Sequence, residues 1–314
     1  MIRERALAAI TYGDAFTFME EGRQHLKRQL WDQAAASFAK VLDQLPQGFR
    51  SASQEMRFCL EMVEQPEIFS RLVERRPRDH RLSYARGRSN ATRREWAKAI
   101  PHFEKTLELN QSDLLRIQAP ANEGRQLGQA VDTIELGALR LLMGDQAGYR
   151  ELCAALVKDP LESSNPMTAS GMARTCVLTP DAVGDWSFPL QLANNAVRKQ
   201  PRVAWYLYSL GIAQHRAGQH ENAIQTLNKS LEVHSAWIGR GQSYAVLAMV
   251  CSELGRADEA RNWLSKAQAS QKDMDATIAR NRFGYAGSDY LGDWLMLNVL
   301  LREAEKLLAD YQKS

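Results

Sequence analysis

The 314-residue chain lacks most of what would mark an enzyme, a secreted protein or a membrane protein. No stretch approaches the roughly 20 apolar residues that a membrane span needs. The N-terminal MIRERALAAITYGDAF carries charge at once and has no long apolar core, unlike a secretion signal. Cysteine is scarce: Cys59, Cys153, Cys176 and Cys251 lie far apart, form no CxxC pair and sit in apolar helical patterns. They read as four reduced, structural thiols, and a cytoplasmic location is the expectation. A net charge of +3 is too small to imply nucleic-acid binding by itself. There is no phosphate-binding GxxxxGK[ST] loop, no GxSxG elbow and no HExxH. Arg78-Asp79-His80 reverses the kinase catalytic-loop order and follows Pro77 at a turn. Of six histidines only His215 and His220 are close, across a predicted turn, with Glu221 as their sole nearby ligand type. They read as surface or half-buried helix residues. The expectation is no catalytic residue, no metal and no cofactor.

What the chain does have is an internal repeat. In AWYLYSLGIAQHRAGQHENAIQTLNKSLEVH, residues 204–234, Leu207, Leu210 and Gly211 share one helical stripe, and Ala223, Leu227 and Leu231 share another. Ala217-Gly218-Gln219 breaks the pattern between them, with glycine where a helix end favours it. A small residue on the first helix is followed twelve residues later by a second small one, and four later by a large apolar one. Gly22, Ala34 and Phe38 fit this spacing. So do Gly87, Ala99 and Phe103, then Gly211, Ala223 and Leu227, then Ala248, Ala260 and Leu264. Three degraded units keep parts of it: Ser53 and Phe69, then Gly137, Tyr149 and Cys153, then Val177 and Ala193.

This frame resembles the tetratricopeptide repeat, whose period is about 34 residues. Leu210-Gly211, Gly218, Ala223, Leu227 and Ser230 carry the resemblance best, with Gly22, Ala34, Phe38 and Pro46 in the first unit and Trp96, Ala99 and Phe103 in the third. The resemblance implies an all-α, right-handed superhelical solenoid of about seven helix-turn-helix pairs. A narrower likeness lies in Gly144–Arg150, Ala173–Ala182, Ala204–Leu207 and the closing Asp293-Trp294…Arg302–Leu308. These are similar to the repeat tails of large bacterial Ser/Thr kinase and WD-repeat proteins. They imply an alternative role as a regulatory or sensory appendage of such a signalling system.

The expected organisation is a single solenoid over 1–314. Residues 1–14 make a lead-in helix, 15–270 the repeats with an irregular insertion at 109–128, and 271–314 a loop and a capping helix. On that last helix Leu297, Leu300, Leu301, Leu307 and Leu308 give the apolar face, opposite Arg302, Glu303, Glu305 and Lys306.

Residues 71–98 hold ten basic and three acidic side chains. In arrays of this type the first helix of each pair lines the concave surface. The frame then places Arg23, Lys27, Arg50, Arg57, Arg81 and Arg88 inside in the early units, and Trp205, Tyr208 and His215 among apolar residues in the later ones. Arginine forks pair with carboxylates. The expected function is therefore a non-enzymatic scaffold binding a protein partner, or an acidic peptide, in that groove. The same arginines also read as solvated faces or structural pairs with Glu55, Glu61 and Glu64. Few aromatics interleave with them, which disfavours nucleic acid, and a small-molecule receptor stands further behind.

Overall fold

A computed structural model of the chain describes residues 13–44, 54–116, 123–158, 165–280 and 290–311. Among these it holds fifteen helices and no strand. They are α1 (Gly13–Lys27), α2 (Trp31–Gln44), α3 (Gln54–Val63), α4 (Pro66–Arg75), α5 (His80–Thr92), α6 (Trp96–Arg116), α7 (Glu123–Leu142) and α8 (Gln146–Lys158). Then come α9 (Pro166–Thr175), α10 (Ser187–Lys199), α11 (Ala204–Arg216), α12 (His220–Val233), α13 (Arg240–Glu253), α14 (Ala257–Arg280) and α15 (Tyr290–Tyr311). α1 to α14 make seven successive helix pairs. The chain is an all-α solenoid in which α7, α9, α11 and α13, each the first of its pair, pack in sequence.

Five pairs share one register. The first helix ends five residues after the small slot at Gly22, Gly87, Gly137, Gly211 or Ala248, and the second starts nine residues after it. The connection is a three-residue turn whose middle residue is left-handed: Gln29, Arg94, Gly144, Gly218 and Gly255 have φ between 59° and 82°. Each turn is closed by an amide donating to the carbonyl five residues back, as Gln219 N–H does to Gln214 O at 2.8 Å and Glu95 N–H to Asn90 O at 3.0 Å. That bond satisfies a helix-end carbonyl. Glycine occurs at three of the five positions because other residues lose roughly 1 kcal/mol there.

The slot residue is small because the second helix comes close. A Cβ on Gly211 would lie 2.6 Å from Leu227 Cγ, and one on Gly87 3.0 Å from the Phe103 ring. At Gly137 the ring of Tyr149 stands farther off, at 3.4 Å.

Two units depart from the expected frame. Ser53 lies outside the described residues; there the turn is only Glu64-Gln65, and Pro66 opens α4, a first-turn position proline suits. In the fifth unit the slot assigned to Val177 is corrected, because Val177 lies beyond the end of α9. Asn165 caps α9 through hydrogen bonds to the amides of Met167 and Thr168 and Pro166 fixes its start, so the helix is finished by Thr175. The long connection 176–186 is buried at its start and needs internal partners for its backbone. Tyr149 supplies one, accepting from Leu178 N–H at 3.1 Å while donating to Thr175 O at 2.7 Å. Arg216 supplies two more, donating to Val177 O and Leu178 O.

The stretch 109–128 is more helical than its Pro120, Gly124 and Gly128 suggest: α6 continues to Arg116 and α7 starts at Glu123. α14 likewise runs to Arg280, past the expected loosening at 271. Residues 1–12, and with them nearly all of the expected lead-in helix, lie outside the described residues.

Candidate functional site

The inner wall of the second half is made by α7, α9, α11 and α13. Ile134, Ala138 and Leu141, then Tyr208, Ile212 and His215, then Ala245 and Met249 are all buried there. Part of that burial comes from α15. This helix packs against α7, α13 and α14 and lies along the wall. From Leu291 to Leu301 every described side chain except Gly292 is buried. This first half of the helix is enclosed by protein, whereas Arg302, Glu305 and Lys306 in its second half are exposed.

Polar contacts fix its depth. Arg174 of α9 pairs with Asp293. Gln242 Nε2 of α13 donates to both the Asp293 backbone carbonyl and its carboxylate at 2.9 Å. Arg216 at the end of α11 forms a two-pronged pair with Glu303, at 2.6 and 2.7 Å. Arg302 donates to the α7 carbonyl of Leu142 at 3.1 Å. Trp294 is anchored by Asp275, which accepts from Nε1–H at 2.7 Å, and Arg94 of the third pair lies over the indole. Carboxylates inside an apolar wall need such partners, since an unpaired buried charge costs several kcal/mol.

The sequence-predicted site residues fall into different surroundings. Arg23 and Lys27 are exposed on α1, on one stripe with the equally exposed Phe16 and Glu20. Arg50 lies outside the described residues, and Arg57 lies in α3 with its side chain outside them. Arg81 is 3% exposed, forks onto Asp79 at 2.7 and 2.8 Å and donates to Leu42 O. Burial pushes the Asp79 carboxyl up, but hydrogen bonds and charge from Arg81 and Arg76 more than offset this and hold it below its ordinary value. Arg88 is 1% exposed, bonded to the Tyr84 hydroxyl and 3.5 Å from Glu135 of α7.

Much of the basic run meets acids, most of them from other helices. Arg71 pairs with Asp32, Arg76 with Asp43 and Asp79, Arg93 with Glu64 and Arg94 with Asp275. The local excess of positive charge seen along the chain is therefore largely offset in space.

Trp205 is half-buried and meets Tyr206 edge-on at 5.8 Å. Tyr208 is fully buried, its ring 5.7 Å from both Trp237 and the Arg174 guanidinium. Burial pushes its hydroxyl well above the ordinary tyrosine value. His215 is 4% exposed, and burial, with the charges of Arg216 and His220, pushes its pKa down to about 3. It faces His220 at the start of α12 and Glu253 at the end of α13. Burial raises the Glu253 carboxyl.

The residues that hold α15, namely Arg174, Arg216, Gln242, Asp293 and Glu303, were missed by the sequence frame. The available signal was the pair of carboxylates, Asp293 and Glu303, in a helix otherwise apolar over more than two turns.

Among solved structures, a thermophilic tetratricopeptide-repeat protein of Thermus thermophilus, TTC0263, is 18% identical; the match covers 62% of this chain and 96% of that one, at a TM-score of 0.38. The crystal structure of MamA protein is 15% identical over 63% of this chain and 94% of that one, at a TM-score of 0.34. No curated protein sequence matches the chain. Two stretches match family models described as the tetratricopeptide repeat: residues 67–113, from α4 into α6, and residues 202–273, from the start of α11 into α14. The chain therefore carries tetratricopeptide repeats.

Proposed function

We propose that the chain is a protein-interaction scaffold whose groove takes a helical segment of a partner, apolar in the main and carrying spaced carboxylates. One observation carries this reading: the groove already holds a helix of that description, α15, with Asp293 on Arg174 and Glu303 on Arg216. The wall offers apolar surface for most of the segment and arginine forks for its acids, which is recognition of a helix in a groove. The exposed stripe of Phe16, Arg23 and Lys27 on α1 extends the same chemistry to the first pair.

Because α15 is tethered, it competes at an effective concentration on the order of millimolar. A partner must outbid it or meet a chain in which it is displaced. The test is a labelled peptide of residues 290–311 and the full chain carrying Asp293→Asn and Glu303→Gln. Fluorescence anisotropy should show uptake by the variant and little by the natural chain. If proteolysis shows α15 released in the variant and the peptide still stays free, the reading fails.

A further inference from the structure

The ends of three consecutive helices meet beside the groove, and they bring together side chains that share a second kind of chemistry. His215 lies in the last turn of α11, His220 opens α12 and Glu253 closes α13. One ligand atom from each lies within 4.8 Å of the other two. We propose that these three residues form a binding site for a divalent transition-metal ion, with zinc the best fit to the donor set.

The geometry distinguishes this from a hydrogen-bonded cluster. Nδ1 of His215 and Nδ1 of His220 each stand 3.5 Å from the same carboxylate oxygen of Glu253. That is too long for an N–H···O bond, which runs 2.7–3.2 Å. It is close to the edge of a tetrahedron around zinc, about 3.3–3.4 Å for bonds of 2.0–2.1 Å. Neither ring nitrogen of His215 has a hydrogen-bond partner, nor does Nδ1 of His220. His215 is more than nine-tenths buried, and an imidazole buried with both nitrogens unsatisfied is costly. A bound cation would use one of them.

Donor type and access also suit a cation. Arg216, whose charge acts on His215, is paired with Glu303, and Arg256 is paired with Glu221. Each imidazole can offer a ring nitrogen lone pair, and the Glu253 carboxylate supplies the anionic donor of the set. His220 and Glu253 are partly exposed, at 29% and 38% of their side chains, so an ion has a path in and a fourth coordination position open to water. Two histidines and one carboxylate are a known zinc set with that open position. The ion would tie α11, α12 and α13 together at one point.

The experiment is calorimetric titration of the chelator-treated full chain with Zn2+, and with Co2+ as a spectroscopic probe. The variants are His220→Ala and Glu253→Gln, chosen because both side chains are partly exposed, with circular dichroism to confirm folding. Binding of one equivalent, weakened at least about tenfold in each variant, supports the site; loss of second-sphere groups alone costs 10–100-fold. Co2+ should give a tetrahedral spectrum without thiolate charge transfer, which separates this site from the four buried cysteines. Absence of binding, equal affinity in either folded variant, or a thiolate spectrum would overturn the proposal.

Discussion

The seating of α15 rests on a contact between residues 87 positions apart, Arg216 and Glu303, and a double-mutant cycle measures it. The Arg216 side chain is 2% exposed and Glu303 20%. Removing one partner of a buried pair costs about 3–5 kcal/mol, mostly from the charge left behind. Here two features lower that figure. Arg216 keeps the carbonyls of Val177 and Leu178 as acceptors at 2.9 and 3.0 Å, and the Glu303 side gives water some access. Glu303→Ala is therefore expected to cost about 2–3 kcal/mol. Arg216→Leu costs a similar amount or more, because it also strips two loop carbonyls of their donor. The double variant should cost less than the sum, by a coupling of about 1–3 kcal/mol. Urea unfolding followed by far-ultraviolet circular dichroism on the four proteins gives the cycle. A coupling below about 0.5 kcal/mol, the additivity expected of independent sites, would refute the placement of α15 in the groove.

The small slots and the buried Asp79 pair give three further expected outcomes. Gly211→Ala places a methyl 2.6 Å from Leu227 Cγ, so overpacking outweighs the helix-propensity gain and the variant should lose about 1–2 kcal/mol. Gly137→Ala meets the Tyr149 ring only at 3.4 Å and should be neutral or gain up to about 1 kcal/mol in the same unfolding assay. Asp79 has a folded-state pKa below its ordinary value, so its stabilising contribution is complete above the unfolded value of about 3.9 and is lost as pH falls through the folded one. Thermal melts from pH 6 to pH 2.5 should show the natural chain losing more stability on acidification than Asp79→Asn.

Local features were legible in the sequence, and non-local ones were not. The slots at Gly22, Gly87, Gly137, Gly211 and Ala248 could be read because helix period and turn chemistry are set within about 16 residues. The turns at Gln29 and Arg94 lack the glycine of Gly218, yet the spacing around them still located the hairpins. Val177 was misplaced because the extra length of 176–186 shifts the frame, and nothing local announces that Tyr149 and Arg216 will satisfy a buried connection. The arginines of 71–98 read either as a groove or as structural pairs with nearby glutamates, and of those glutamates Glu64 does pair, with Arg93; Asp32, Asp43, Glu135 and Asp275 lie tens to nearly 200 residues away and nothing local announces them. The leucine pattern of α15 was read as one face over a polar one. The wall around its first half, and so the pairing of Asp293 and Glu303, comes from residues 51 to 160 positions earlier in the chain. His215 and His220 were noticed as neighbours, but Glu253 joins them only through the stacking of α13.

The return of α15 changes the kind of object this solenoid is. An open array of helix pairs behaves as a one-dimensional chain, in which each unit feels only its neighbours and the ends fray first. Contacts such as Arg302 with Leu142, Arg174 with Asp293 and Arg94 with Asp275 span 160, 119 and 181 positions. They link the third, fourth and fifth pairs directly to the C-terminal segment, so those pairs cannot melt without disturbing α15. Local hairpins form quickly, whereas contacts of such long sequence separation form late. The hairpins of the wall can therefore form before α15 docks on them. Until α15 seats, the apolar side chains of the wall lack the cover that it provides, and the tether is what lets the chain's own helix reach them first.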